Sequence, residues 1–216
     1  MSIKLENISK TFEVSGKELK VLENIDLEIK DKEMLVIFGK SGVGKSTLLS
    51  IIGGMDTPTS GKVIVDGIDL SNLKADELAK FRKEKIGYIF QSFNLLGNLI
   101  AMHNIILPVI LDVERMKKIA TIKGLAQKIG MQGRLRHCPG ELSLGEQQRV
   151  AILRAMINSP TIILADEPTA HLDIENSLKI IEIFEKLNKE QGVTIVLVTD
   201  HEAIASKFEH RFTLGV

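Results

Sequence analysis

The segment Gly39-Lys40-Ser41-Gly42-Val43-Gly44-Lys45-Ser46-Thr47 has the residue types and spacing to hold phosphate. Its pattern of glycine, four residues, then Gly-Lys-Ser is that of a P-loop. Glycines let successive backbone N–H groups curl round phosphate oxygens where a Cβ would clash. Lys45 would reach the β- and γ-phosphates of ATP, and the Ser46 hydroxyl would bind Mg2+. The apolar run 34–38 before the loop predicts a buried strand, and Leu48, Leu49, Ile51 and Ile52 after it mark one face of a helix. A helix starting there points the positive end of its dipole at a bound anion.

A second chemical pair, Asp166-Glu167, closes the apolar run 161–165. In an open parallel sheet the C-terminal ends of the strands line the ligand crevice, so the pair can share a site with the P-loop. Asp166 would hold Mg2+ directly or through water, and Glu167 would orient or deprotonate the attacking water. Alone, a strand ending in Asp-Glu-Pro is as readily an ordinary turn. Beside a P-loop it reads as the hydrolytic half of a nucleotide site.

The elements that must position these groups follow from hydrophobic pattern. Short apolar runs alternate with helical patterns, which marks an α/β chain with a largely parallel sheet. The runs 34–38, 161–165 and 193–198 suit central strands covered on both faces. Ile174, Leu178, Ile181 and Leu187 recur at helical spacing, as do Val150, Leu153 and Ile157. Ile3, Leu5 and Ile8, then Val21, Leu22, Ile25, Leu27 and Ile29, predict shorter, partly exposed strands around Ser15-Gly16-Lys17, forming an antiparallel edge. The region of about 91–149 shows helical segments and no strand, which predicts a helical subdomain inserted into a core made of 1–90 and 150–216. The chain 1–216 thus reads as a single domain.

Composition narrows the partners. Lys plus Arg number 28 and so do Asp plus Glu, so the chain has no net charge and no broad footprint for nucleic acid or anionic lipid. The single cysteine, Cys138, excludes an internal disulfide, and with His137 alone it lacks zinc-site spacing. Met1-Ser2-Ile3-Lys4-Leu5-Glu6-Asn7 has no apolar core of a secretion signal. The most membrane-like stretch, 95–113, carries Asn98, His103, Asn104 and Pro108, which a spanning helix rarely tolerates.

Further segments, in order along nearly the whole chain, resemble the ATP-binding subunits of ABC transporters. Leu142-Ser143-Leu144-Gly145-Glu146-Gln147-Gln148-Arg149 is similar to the family's Leu-Ser-Gly-Gly-Gln signature and its helix. Tyr88-Ile89-Phe90-Gln91 resembles the loop whose glutamine touches Mg2+ and senses the membrane partner. Ala170-His171-Leu172-Asp173 resembles the loop that crosses the dimer interface, and Phe12 stands where the family stacks an aromatic on adenine. The stretches 53–61 and 86–96 look most like an exporter branch that energises lipoprotein release, macrolide-type efflux or a related division machine.

The resemblance implies a P-loop NTPase core in which two copies sandwich two ATP molecules head to tail. Ser143, Gly145 and Glu146 of one copy would face the γ-phosphate held by the other, and Asp173 would lie at the interface. Glu167, Lys45, Gln91 and His201 would act in catalysis, with Ser46, Gln91 and Asp166 around Mg2+. Transmembrane subunits would be driven from the inner face of the cell membrane, through the helical subdomain. Leu95, Leu96, Leu99, Ile100, Ile105, Ile106 and Leu107 would supply either a docking groove or that subdomain's core.

The pattern departs from the family in three places. Leu144 replaces a glycine and Glu146 a glutamine of the signature. After the run 193–198 the family's Thr-His-Asp becomes Thr199-Asp200-His201, putting an acid where a histidine meets the γ-phosphate. A carboxylate there would slow hydrolysis, with His201 partly substituting. The alternative is a hydrolysis-poor module that binds ATP and regulates.

Overall fold

The computed structural model describes residues 3–215; Met1, Ser2 and Val216, on which part of the reading of the termini falls, lie outside the described residues. The chain opens with strands β1 (Ile3–Val14) and β2 (Lys17–Ile29), paired antiparallel. They turn through Ser15 and Gly16, both left-handed, as a tight hairpin requires. At 12 and 13 residues they are longer than the short strands their hydrophobic pattern predicts. Bulges between Leu5 and Lys10 break the strict alternation of apolar residues, so the period alone underestimates the strands.

Strand β3 (Met34–Phe38) runs into the glycine loop and helix α1 (Lys45–Ile52). Strands β4 (Ser60–Val65) and β5 (Ile68–Asp69) then return to β1, giving a sheet of order β2-β1-β4-β5. The antiparallel part is therefore a sheet of its own rather than an edge of the parallel one. Next come helix α2 (Ala75–Lys85), strand β6 (Ile86–Ile89) and helices α3 (Ala101–Ile106), α4 (Arg115–Lys128) and α5 (Leu144–Met156). Strand β7 (Ile162–Asp166), helix α6 (Ile174–Gln191), strand β8 (Thr194–Thr199), helix α7 (Glu202–Ala205) and strand β9 (His210–Thr213) follow. The second sheet has the order β6-β7-β8-β3-β9, with every pairing parallel.

Each central strand is apolar on both faces because both are covered. Leu35, Ile37, Ile162, Leu164, Val196 and Val198 pack with α1 and the antiparallel sheet. Their alternates Val36, Ile163, Ala165, Ile195 and Leu197 pack with α3, α4, α5 and α6. Among the described elements between Gln91 and Arg149 there is no strand, and the buried residues of that stretch share one cluster with the parallel sheet. Ile105 is fully buried, Leu95 and Ile106 pack against the cluster, and Leu96 stays half exposed. Among the described residues no helix is long and apolar enough to cross a membrane.

Helix α1 has no side-chain cap at its N-terminus. A cap is worth about 1 kcal/mol, whereas burying a leucine or isoleucine contributes about 1.5–3 kcal/mol. Leu48, Leu49, Ile51 and Ile52 are all buried, so packing holds α1 while its first N–H groups stay free of side-chain acceptors.

Candidate active site

Register brings the strand ends to one rim of the parallel sheet. Ile89 pairs with Ala165, Asp166 with Val198, and Phe38 with Thr199. Glu167, Asp200 and Gly39, each one residue beyond its strand, and Gln91, two beyond β6, therefore share that rim. The Gly39 N–H bonds the Thr199 carbonyl and the Glu167 N–H bonds the Val198 carbonyl.

The glycine loop is shaped by its neighbours. Gly44 has φ 97, and a Cβ there would sit 2.7 Å from Val21 Cγ1, so only glycine fits beneath β2. Lys45 is buried and folds back over the loop, donating to the carbonyls of Gly39 (2.9 Å) and Lys40 (3.0 Å). Its Nζ also lies 3.4 Å from Glu167 Oε1. Gln91 Nε2 donates to the other oxygen, Glu167 Oε2, at 3.3 Å. The Ser46 hydroxyl donates to Asp166 Oδ1 at 2.8 Å. Burial pushes the Asp166 carboxyl above its ordinary range, against the opposing pull of Ser46 and Lys45. Glu167 itself is left-handed, with φ 42, a conformation uncommon for a residue with a Cβ.

The remaining predicted residues form a second group. Ser143 caps α5: its hydroxyl accepts from the Glu146 N–H at 3.3 Å, and Glu146 Oε2 accepts from the Ser143 N–H at 2.9 Å. Glu146 Oε1 accepts from Arg134 Nε at 2.8 Å, and the Ser143 amide together with Arg134 holds its carboxyl below the usual range. Gly145 is buried beside Asn176, and Leu144 is half exposed. Asp173 caps α6, accepting from the backbone and side-chain N–H of Asn176 at 2.8 Å each. Among the described residues no hydrogen bond or ion pair joins this group to the P-loop cluster of the same chain.

Phe12 lies in β1 with Lys10 Nζ 4.8 Å from its ring centroid. Lys10 pairs with Leu22, whose side chain borders Gly44, so Phe12 sits about 7 Å further along the strand from that contact. It is partly exposed at a surface hollow with Thr11, Glu13, Gly16, Glu18 and Thr59. Asp200 and His201 are both exposed. The His201 N–H bonds Thr199 Oγ1 and starts α7, so Asp200 is the residue nearer the strand end. A cavity of about 320 Å³ near Lys32, Met34, Phe208 and His210 lies at the opposite ends of β3 and β9 and holds none of these groups.

Sequence reasoning missed Arg134 and Arg154, the latter donating to the Phe93 and Asn94 carbonyls, because their partners are distant in sequence. It also missed Asn104, fully buried, whose side chain ties down Leu96, Leu99 and Ile100. Its position amid the apolar residues 99–107, beside Asn98 and His103 as the other polar groups of that stretch, was the available signal.

Comparison with known proteins gives concordant matches. The ABC transporter family model matches residues 22–170. An uncharacterized ABC transporter ATP-binding protein of Methanocaldococcus jannaschii is 44% identical over 217 residues, spanning 97% of this chain and 91% of that protein. The lipoprotein-releasing system ATP-binding protein LolD of Syntrophus aciditrophicus is 39% identical, spanning 98% of this chain and 96% of that one. Macrolide export ATP-binding/permease protein MacB of Rhodopirellula baltica is 42% identical over 94% of this chain, which spans 30% of that longer protein. A dimeric ATP-binding cassette in a post-hydrolysis state with ADP and Pi superposes with a TM-score of 0.86 at 42% identity, spanning 98% of this chain and 94% of that one.

Proposed function

Since the chain belongs to the ABC transporter family, as an ATP-binding and ATP-hydrolysing subunit that works in a dimer with transmembrane partners, we propose that Lys45, Ser46, Gln91, Asp166 and Glu167 form its hydrolytic site. One observation carries this reading: Glu167 is bonded at once to Lys45 and to Gln91. Both groups must turn to other partners when a nucleotide binds.

Lys45 leaves Glu167 for the phosphates, and the freed carboxylate orients or deprotonates the attacking water. The residues from Gly39 to Thr47 wrap the phosphates, and Phe12 stacks on adenine. Ser143 and Gly145 of the second copy close the site across a two-fold interface, which repeats it twice. Glu146 acts indirectly, as a cap balanced by Arg134, since both its oxygens are engaged. Asp173 likewise acts through α6.

The donors fit Mg2+. Ser46 Oγ and Asp166 Oδ1 are hard oxygens 2.8 Å apart, and burial of Asp166 is offset only in part by the Ser46 hydroxyl and the Lys45 charge. Ser46, Asp166 and Gln91 would hold the ion. When bound, it neutralises charge developing on the phosphates.

The stretch of about 91–149 forms the helical part through which closure reaches the membrane subunits, at the inner face of the cell membrane. The lipoprotein-releasing and macrolide-export roles that LolD and MacB are named for favour lipoprotein release or export as the process driven.

A second reading rests on Asp200, which leaves β8 at the rim where the P-loop begins. On that reading its charge leaves a regulatory module that binds ATP and dimerises but hydrolyses little; on the first, hydrolysis is slowed but present, with His201 partly substituting. The test is ATP turnover with Mg2+ across a protein-concentration series, beside Glu167→Gln. Turnover per chain that rises with concentration and vanishes in the variant supports two shared sites. Tight ATP binding without turnover, even with the membrane partner present, would favour the regulatory module.

A further inference from the structure

The loop that follows Gln91 has an unusual backbone. Phe93 and Asn94 are consecutive left-handed residues, with φ 59 and 49, and neither is glycine. Local preference opposes such a pair, so something outside the loop must hold it. The local bonds are two short turns: the Phe93 N–H to the Phe90 carbonyl at 3.1 Å, and the Asn94 N–H to the Ser92 carbonyl at 2.6 Å. The outside constraint is Arg154, whose two terminal nitrogens donate separately to the Phe93 and Asn94 carbonyls. A planar guanidinium fixes two acceptors at once, which a lysine cannot do.

Two placements give this clamp a consequence. Arg154 is on α5, the helix that Ser143 caps, so the loop and the Ser143 end are joined through one rigid element. Phe93 is buried, with its ring edge-on to His171 at 5.9 Å in the turn after Glu167. The loop is thus fixed from both sides of the hydrolytic cluster.

We propose that Arg154 is a positioning residue for ATP hydrolysis: by clamping the Phe93 and Asn94 carbonyls it keeps Gln91 within reach of Glu167 and ties that placement to the helix carrying Ser143. The inference rests on the role proposed above for Gln91. Arg154 bonds the Phe93 and Asn94 carbonyls and none of the residues proposed to hold nucleotide or metal. Its loss leaves the P-loop intact and loosens only the loop.

The test compares Arg154→Met and Arg154→Lys, each alone and combined with Asn94→Gly, with Gln91→Ala as a separate control. Hydrogen exchange of the nucleotide-free full chain reads the loop directly, and steady-state kinetics read its effect. The expected result is faster exchange in 91–96 with α1 and the P-loop unchanged. Turnover should fall about tenfold with the KM for ATP nearly constant, because the lost contact is not a binding contact. Asn94→Gly should restore part of that turnover, since glycine takes a left-handed conformation at little cost. If Arg154→Met fails to fold, Arg154→Lys is read by the same criteria. Wild-type exchange and turnover in a folded variant would overturn the proposal, as would a loss carried by KM or one that Asn94→Gly leaves untouched. Normal turnover in Gln91→Ala would instead overturn the role of Gln91 itself.

Discussion

Replacing Glu167 with glutamine should tighten nucleotide binding even where no hydrolysis can occur. Lys45 Nζ lies 3.4 Å from Glu167 Oε1, and the two side chains are 4% and 15% exposed. At an effective dielectric of about 20, charges so placed attract by roughly 5 kcal/mol before any costs. Desolvation cancels much of that, and the pair is not sealed from water. Lys45 also keeps the Gly39 and Lys40 carbonyls when the pair breaks. A net loss of about 1–2 kcal/mol remains.

A phosphate that draws Lys45 away must supply that energy in the wild type and need not in Glu167→Gln. The difference should appear as a dissociation constant about 5- to 30-fold lower. ADP is the right probe, because in the proposed site it would reach Lys45 through its β-phosphate but has no γ-phosphate to hydrolyse or to bridge a dimer. Calorimetric titration of ADP into both proteins at low protein concentration measures the difference. Thermal melts give a check, since the free variant should melt lower and gain more from ADP. Equal or weaker ADP binding by Glu167→Gln would show that the ion pair does not compete with phosphate.

Exchanging Asp200 and His201 (Asp200→His with His201→Asp) should raise turnover about fivefold, the value of roughly 1 kcal/mol for removing an exposed charge repulsion near 4 Å; unchanged turnover would exonerate Asp200. Glu146→Gln should lower the melting temperature at pH 7, because the native carboxyl is held below its ordinary range by the Ser143 amide and Arg134. A depressed pKa stabilises above the unfolded value and the benefit is lost as pH falls through the folded value, so the gap between variant and wild type should close below about pH 4.5. A gap that stays constant from pH 7 to 4 would assign the effect to something other than charge. Asn104→Ala leaves the Leu96 N–H and three carbonyls without their buried partner and should cost about 2–4 kcal/mol in urea unfolding. A cost below about 1 kcal/mol would mean that water replaces the amide.

The parts of the site carried by contiguous residues were legible in the sequence. The P-loop announces itself because its glycines, Lys45 and Ser46 act through one short stretch of backbone. Asp166-Glu167 was legible because an all-apolar strand has to end somewhere polar, and parallel sheets place that end at the ligand rim. The antiparallel sheet was half legible. Its hairpin shows in the Ser15-Gly16 turn, but β4 joins only through pairings such as Ile3 with Val65, which no local pattern records. Ile174 shares the helical spacing of the inner face of α6 yet is half exposed at its first turn. The buried face begins further along, at Ser177 and Ile180, where the helix meets the sheet. Arg134 and Arg154 were invisible for a simpler reason. A guanidinium that binds backbone carbonyls, or a carboxylate on another element, leaves no trace in its own neighbourhood.

The same contrast explains where the chain breaks its own local rules. Glu167, Phe93 and Asn94 are left-handed without being glycine, and they lie in the two segments, after β6 and after β7, that the proposed hydrolytic site draws on. The conformation is costly for Glu167 and Phe93 and tolerated by Asn94. Glu167 is held through the Val198 carbonyl on the neighbouring strand, and the other two through Arg154 on α5. The strands and α5 must therefore be in place before the hydrolytic geometry exists. On the proposed role of Arg154, small motions of α5 against the sheet would act first on the loop that carries Gln91, while Glu167, held by the strands, and the P-loop, anchored by α1, would keep their places. A site that binds nucleotide firmly and commits to hydrolysis only when its helices are properly seated needs that division of stiffness.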